Sequence, residues 1–223
     1  MNKNKEAGFS LIEVAVVLFI LVLLLGSIMI PLQTQVEQRK VSDTQKSLEA
    51  IKEALIGFAI LYGRLPCPDT ATNPAAANYG EEDASCPTPS AEGYLPWKTL
   101  GVTSMDAFGI TRTATASPRI GDWRYRVHRN FAVPFTLSTS VTTSDNLSVR
   151  DSANNLISSG TERPVAIVYS AGPNGTPDGQ NASYEATNGI YQADVPSPTF
   201  DDILIWISRP ILFNRMVAAG KLP

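Results

Sequence analysis

An apolar run from Phe9 to Ile30 constrains the fold of this 223-residue chain more than any other feature of its sequence. As an α-helix, these 22 residues are about as long as the hydrocarbon core of a bilayer is thick. Lys3 and Lys5 precede the run and predict a cytoplasmic N-terminus, with the rest of the chain outside the cytoplasm. The run is longer than the apolar region of a cleaved secretory signal, and no small-residue cleavage site follows it. We therefore expect a transmembrane helix that is kept.

The only charged residue in this run is Glu13. A carboxylate within lipid costs about 2.5–3.5 kcal/mol on insertion scales, so it usually has a partner or a function. The alternative is a side chain that reaches the headgroups, because Glu13 lies near one end of the run. An ordinary signal anchor would leave this acid unexplained.

The stretch GFSLIEV, residues 8–14, resembles the prepilin motif of type IV pilins and type II secretion pseudopilins. The resemblance implies that a prepilin peptidase cuts between Gly8 and Phe9 and that the new terminal residue, Phe9, is N-methylated. Glu13 then becomes the fifth residue of the mature chain, where the family has a conserved glutamate. Its implied role is assembly, because it can neutralise the amine of a neighbouring subunit in a medium of low dielectric constant.

After Pro31, an amphipathic pattern continues the helix to a total of roughly 50 residues. Gly63 and Pro66 are expected to end it. We divide the chain into a leader peptide (1–8), a transmembrane or filament-core half of the helix (9–31), an amphipathic half (32–65) and a globular head (66–223). The predicted apolar stripe of the amphipathic half consists of Leu48, Ile51, Leu55, Phe58 and Tyr62.

The head is predicted to be α+β, with the long helix packed on a small antiparallel sheet with irregular loops. RPVAIVYSAG is apolar throughout and predicts a central strand, whereas DWRYRVHRNFAV alternates and predicts a half-buried strand. FTLSTSVTT and DDILIWIS suggest two more strands, and Ser208 with Pro210 predicts a final helix that Gly220 caps. The segments LPCPD, GYLPWKTLGV, WRYRV and DDILIWIS also resemble parts of minor-pilin-like proteins.

The two cysteines, Cys67 and Cys86, lie in a loop rich in Pro, Ala and Asn. In the oxidising compartment beyond the membrane, such a pair usually forms a disulfide, worth about 3 kcal/mol in the chain-entropy model. Two free thiols or half a metal site are the alternatives. The metal alternative is the weaker one, because the chain lacks a CxxC spacing and its only histidine is His128.

The composition argues against several classes of function. The net charge is −3 and there is no long basic run, which disfavours nucleic acid as a partner, although Arg124, Arg126 and Arg129 would support DNA binding if they formed an exposed cluster. The chain contains no GxSxG, SxxK, HExxH or Walker motif, so we expect no enzymatic activity.

One group of acids has the chemistry of a calcium site. Asp178 lies in a loop rich in Gly and Asn, Asp201 and Asp202 follow it in the sequence, and carboxylates are the hard oxygen ligands that calcium prefers. Resemblance to the calcium loop of major pseudopilins supports this set. Asn174 stands where a carboxylate would be preferred, so the favoured interpretation is an ordinary turn-rich loop with Asp202 accepting backbone hydrogen bonds and no cofactor.

The sequence thus predicts a structural subunit of a type IV pilus or type II secretion pseudopilus, as a minor component. The head would lie in the periplasm on a single-pass inner-membrane anchor and later in a filament. Its predicted partners are the prepilin peptidase, other pilin or pseudopilin subunits, the inner-membrane assembly platform and lipid. The alternatives are a filament-tip module that binds DNA, a surface or a secreted substrate, and a signal-anchored periplasmic protein outside any filament.

Overall fold

The computed structural model describes residues 10–86, 92–109, 121–141, 147–158, 162–183 and 189–222, with the backbone alone at residues 25–33 and 183. The chain divides into two compact units, Met1–Lys40 and Val41–Pro223. The predicted leader and the cleavage position, Gly8 and Phe9, lie outside the described residues. Over the part of the chain that is described, no helix combines the length and apolarity that a membrane span needs. The transmembrane assignment of residues 9–31 therefore stays a prediction.

The predicted long N-terminal helix is present as α1, which spans Leu11–Tyr62 and has 52 residues. In the second unit, its predicted stripe is buried at Leu48, Ile51, Leu55 and Phe58. The prediction is wrong for Tyr62, which is 61% exposed and packs its ring 4.4 Å from that of Phe58. Gly63 follows in the left-handed conformation (φ 72°), which ends the helix as predicted because glycine lacks a Cβ.

The second unit is built on a four-stranded sheet in which all neighbours are antiparallel. Its strands lie in the order β1 (Glu92–Tyr94), β2 (Arg124–Val127), β4 (Pro164–Ser170) and β6 (Ile203–Ser208). Two further strands, β3 (Ser148–Arg150) and β5 (Ile190–Gln192), form a separate parallel pair that the sequence did not predict. The α+β class and the central position of β4 are confirmed.

The four-stranded sheet is covered on both faces. On one face, Val165 and Val168 of β4 join a cluster that contains Leu48, Ile51 and Leu55 of α1. On the other face, alternate residues of β4 and the two-stranded sheet form a second cluster: Ile167, Tyr169, Leu147, Val149 and Tyr191. All seven residues of β4 are buried, which explains why its sequence is apolar without alternation.

The prediction that β2 is half-buried is wrong. Its four residues are all buried, and Arg124 and Arg126 are only 8% and 3% exposed. The second sheet covers the face that was expected to meet water. The Arg124 guanidinium lies 4.6 Å from the ring centroid of Tyr94, and that of Arg126 lies 5.9 Å from the ring centroid of Tyr191. Aromatic faces thus accommodate two cations that alternation alone would place in solvent.

The strand predicted for FTLSTSVTT is also wrong over its described part, residues 135–141, which forms turns. Hydroxyl groups satisfy the backbone here: Thr139 Oγ1 accepts from the Thr136 N–H at 3.0 Å, and the hydroxyls of Thr136 and Ser138 lie 2.9 Å apart. Such local bonds compete with the ladder of a sheet. A run of Ser and Thr therefore resembles a strand in propensity while folding as a turn.

The described part of the second unit also contains two short α-helices and, at Arg129–Phe131 and Gly179–Ser183, two 3-10 helices. The segment EGYLPWKTLGV contains β1 and the helix α2 (Trp97–Leu100). The predicted C-terminal helix is α3 (Arg209–Ala218). The N–H groups of Gly220 and Lys221 donate to the carbonyls of Val217 and Met216, both at 2.9 Å. This pattern is a Schellman motif, so the prediction that Gly220 caps α3 is confirmed.

A buried polar network joins the two sheets. The Tyr191 hydroxyl of β5 donates a hydrogen bond to the Glu92 carboxylate of β1, and Arg126 Nη1 of β2 lies 3.6 Å from the same carboxylate. Burial raises the pKa of Glu92 to about 8, against the opposing effects of Tyr191 and Arg126. Burial, and then repulsion from Asp69, likewise raise the pKa of Asp122 to about 8.

We expect the free energy of unfolding to fall as the pH rises from about 5 to about 8. In that range the folded protein retains protons on Glu92 and Asp122 that the unfolded chain has released, so deprotonation favours unfolding. Urea unfolding of the full chain in detergent, followed by tryptophan fluorescence at several pH values, measures this slope. Glu92→Gln should make the slope shallower, because the amide does not titrate. A wild-type midpoint that stays constant or rises over this range would contradict the expectation.

Candidate functional site

The described part of the N-terminal motif begins at Ser10, and Glu13 lies in the first turn of α1. The Ser10 N–H donates to Glu13 Oε2 at 2.9 Å, and the Glu13 N–H donates to Ser10 Oγ at 3.3 Å. This reciprocal pair is a capping box, and the carboxylate also meets the positive end of the helix dipole. The capping box was not among the sequence predictions, although Ser-Leu-Ile-Glu is its sequence signature. Glu13 thus has a role within a single subunit as well as the predicted one between subunits.

Beyond this cap, the first unit presents an exposed apolar surface. Every side chain from Leu11 to Leu24 is exposed, including Leu11 at 89%, Ile12 at 72% and Phe19 at 66%. A contiguous apolar surface of this extent marks a site that lipid or protein covers. This segment can therefore anchor the chain or join it to other helices.

The predicted disulfide is present between Cys67 and Cys86, with the Cα atoms 4.9 Å apart. The loop that it closes also has a bidentate ion pair, because the Arg64 guanidinium contacts both oxygens of Glu82 at 2.8 and 2.9 Å. Asp69 is fully buried and accepts hydrogen bonds from the N–H groups of Ala71 and Gly80, at 2.8 and 2.6 Å. Polar side chains as well as the disulfide therefore order this loop.

The structure brings together the three acids that the sequence singled out. One carboxylate oxygen from each of Asp178, Asp201 and Asp202 lies within 4.8 Å of the others. The loop geometry requires glycine at position 172, where φ is 63° and a Cβ would collide with the Asp201 carboxylate. Residues from two distant segments thus converge on one point.

The hydrogen bonds of this cluster also agree with the favoured interpretation of a turn-rich loop. Asp202 Oδ2 accepts from the Asp178 N–H and from Asn181 Nδ2, both at 2.9 Å. The Oδ1 atoms of Asp201 and Asp202 are buried without a hydrogen-bond partner among the described residues. Burial raises the pKa of Asp202 to about 7, so this group would gain a favourable partner in a bound cation.

The arginine cluster that could have supported DNA binding does not form a surface. Arg124 and Arg126 are buried, and Arg129 is half-buried. His128 is also fully buried, and its Nδ1 accepts a hydrogen bond from the Asn130 N–H at 3.2 Å. The ring of His128 meets that of Phe131 edge-on at 5.6 Å, which indicates a structural role for the only histidine.

Comparison with known sequences identifies the N-terminal segment. Residues 3–29 match the family described as the prokaryotic N-terminal methylation motif, the prepilin-type cleavage and methylation signal of type IV pilins and pseudopilins. No curated protein and no solved structure matches the chain. The match confirms the resemblance that GFSLIEV carries.

Proposed function

Because residues 3–29 carry a prepilin-type methylation motif, we propose that this chain is a pilin-like structural subunit. It is processed by a prepilin peptidase and assembled into a type IV pilus or a type II secretion pseudopilus. The motif is the single observation that carries this proposal. The long helix α1 and the α+β architecture of the second unit support the proposal, because the resemblance to pilins implies both.

Processing and assembly use different atoms of the same segment. The peptidase cuts after Gly8, and the new amine of Phe9 carries a positive charge. In the filament, the Glu13 carboxylate of a neighbouring subunit neutralises that amine, and the low dielectric constant strengthens the attraction. An unpaired charge would be costly there, so the pair favours one register of packing. Within its own subunit, the same carboxylate accepts a hydrogen bond from the Ser10 N–H.

The exposed apolar surface of the first unit supports insertion into the inner membrane before assembly and helix packing within the filament afterwards. The disulfide supports an oxidising location for the head, such as the periplasm. We assign the chain as a minor component, because Cys67 and Cys86 close the loop directly after α1, whereas many pilins close a disulfide near the C-terminus. Other pilin or pseudopilin subunits and the inner-membrane assembly platform are its partners.

Mass spectrometry of the chain, co-expressed with a prepilin peptidase and extracted from membranes, tests processing. We expect an N-terminal peptide that begins with N-methylated Phe9, because the peptidase cuts after Gly8. Gly8→Asp should block cleavage and leave the leader attached. An intact Met1 in the wild-type protein would support a signal-anchored periplasmic protein in place of a pilin-like subunit.

Two substitutions separate the roles of Glu13. Glu13→Gln keeps a side chain that can complete the capping box but removes the charge. We expect it to be cleaved normally and to be strongly depleted in purified filaments, measured by immunoblot against the membrane fraction. Ser10→Ala removes the capping hydroxyl and keeps the charge, so it serves as the control and should be incorporated. Equal incorporation of wild type and Glu13→Gln would refute the charge pairing.

We also propose that Asp178, Asp201 and Asp202 bind a calcium ion. The observation that favours this site is the buried Oδ1 atom of Asp202, which has no hydrogen-bond partner among the described residues and belongs to a convergent set of carboxylates. Calcium would supply positive charge to two hydrogen-bonded loop segments that carry three acids. Its effect would be structural, since it would link the segment at Asp178 to the start of β6.

Calcium should raise the thermal unfolding midpoint of the full chain relative to the same protein in EDTA. At a concentration a hundred times its dissociation constant, a ligand of the folded state stabilises by about 2.7 kcal/mol. Asp201→Asn should abolish the shift, whereas Asp194→Asn, which changes an exposed acid outside the cluster, should retain it. Identical wild-type midpoints in calcium and EDTA would exclude the site.

A further inference from the structure

A pocket of about 320 Å³ lies beside the end of β5 in the second unit. Its walls come from three parts of the chain: Ser152, Gly179 and several residues between Gln192 and Phe200. Pockets that bind small molecules typically have volumes of about 300–1,000 Å³, so this one suits a ligand of about one ring. The polar groups on its walls indicate which class of ligand that is.

Gln192 brings a hydrogen-bond donor to this pocket. The residue is only 7% exposed, and its Oε1 accepts a hydrogen bond from the Gln180 N–H at 3.2 Å. This bond identifies the oxygen end of the amide, so the other end is the nitrogen Nε2. Among the described residues Nε2 has no hydrogen-bond partner, and it is not fully enclosed by protein. A ligand in the pocket can therefore accept a hydrogen bond from Nε2.

Asp194 brings an acceptor to the same pocket. Its Oδ2 accepts from the Ser152 N–H at 2.7 Å, and its Oδ1 accepts from the Val195 N–H at 2.9 Å. Hydrogen bonds from the Ser152 side chain and N–H and from the Val195 N–H lower the pKa of Asp194, so this carboxylate is ionised at neutral pH. An ionised carboxylate has about four acceptor positions, which leaves capacity for hydroxyl groups of a ligand.

The wall of the pocket also includes a short, rigid turn. The Ser197 N–H donates to the Phe200 carbonyl at 2.8 Å, and the Phe200 N–H donates to the Ser197 carbonyl at 3.2 Å. Pro196 and Pro198 restrict φ on either side of Ser197. Ser197 and Thr199, which both line the pocket, carry hydroxyl groups that can donate or accept. A wall held in this way loses little conformational entropy when a ligand binds.

These groups favour a neutral ligand that is rich in hydroxyl groups. The described residues that line the pocket include the carboxylate of Asp194 and no Lys or Arg, which disfavours an anion. An ammonium ion could meet Asp194, but it would offer no acceptor to Gln192 Nε2. A hydroxyl group both donates and accepts, so neighbouring hydroxyls of one ring can donate to Asp194 and accept from Gln192. A sugar ring has such neighbouring hydroxyls, and its C–H groups suit the apolar atoms of Val195 and Phe200.

We propose that this pocket binds one neutral sugar ring through hydrogen bonds to Asp194 and to Gln192 Nε2. The hydroxyls of Ser197 and Thr199 supply further donors and acceptors to the same ring. The site gives the head a means of holding a glycan, a function beyond that of a structural subunit. It lies within the second unit and uses neither Glu13 nor the acids of the proposed calcium site, so it depends on neither filament assembly nor calcium.

Saturation-transfer NMR on the full chain, in a deuterated detergent without a sugar headgroup, tests the proposal. The probes are the methyl glycosides of glucose, galactose, mannose, fucose and N-acetylglucosamine. We expect at least one glycoside to receive saturation from the protein, with a dissociation constant of roughly 1 mM, because a single ring makes few contacts. Asp194→Ala should raise that constant at least about tenfold, since it removes the charged acceptor. Gln192→Glu keeps an acceptor for Gln180 but loses the donor, and should raise it roughly fivefold.

Glu81→Ala is the matched control, because it removes an exposed acid that does not line the pocket and should leave the dissociation constant unchanged. Circular dichroism of each variant verifies that it is folded. The proposal is overturned if none of the glycosides receives saturation from the wild-type chain, or if wild type and Asp194→Ala bind them equally well. Binding of n-butylammonium without binding of any glycoside would assign the pocket to a cation and would also overturn it.

Discussion

The packing of the α1 stripe against the four-stranded sheet is the contact on which the rest of the second unit depends. Leu48, Ile51 and Leu55 are at most 2% exposed and belong to one cluster with β2, β4 and α3. Each such side chain contributes roughly 1.5–3 kcal/mol when fully buried. Without this helix, one face of β4 would meet water, and the apolar sequence of β4 would have no matching environment. The helix therefore serves both as part of the core and as the continuation of the N-terminal motif.

The other face of the sheet shows why polar residues occur in a buried strand. Arg126, Glu92 and Tyr191 come from β2, β1 and β5 and meet at the contact between the two sheets, where Tyr191 donates a hydrogen bond to Glu92 and Arg126 lies 3.6 Å from the same carboxylate. The Arg126 guanidinium would be unfavourable alone, because a buried charge without a partner retains its desolvation penalty. Covering this face also withdraws Arg124 and Arg126 from the surface, which removes the basis for a DNA-binding patch. Arg124 and Arg126 thus have a structural role in place of the DNA-binding role that the sequence suggested as an alternative.

Prediction from sequence succeeded where a local pattern has one physical meaning. The apolar run of β4, the helix-ending Gly63 and the Schellman cap at Gly220 all depend on neighbouring residues, and all three are confirmed. It failed where one local pattern fits two structures. The Ser/Thr-rich segment at 135–141 forms turns although its composition suits a strand. The alternation in β2 predicts one exposed face, but the strand is buried on both faces. The three acids of the calcium set were found by residue type, but nothing local showed that Asp178 would reach Asp201 and Asp202.

The sequence by itself determined the processing motif, the long helix with its buried stripe, the class of the head and its central strand. These follow from spacing along the chain, since cleavage signals, helical periodicity and apolar runs are properties of adjacent residues. Only the tertiary structure decided the burial of Arg124 and Arg126, the pairing of β3 with β5 and the meeting of the acids. Each of these requires segments that are distant in sequence to meet, and their meeting depends on the packing of the whole unit.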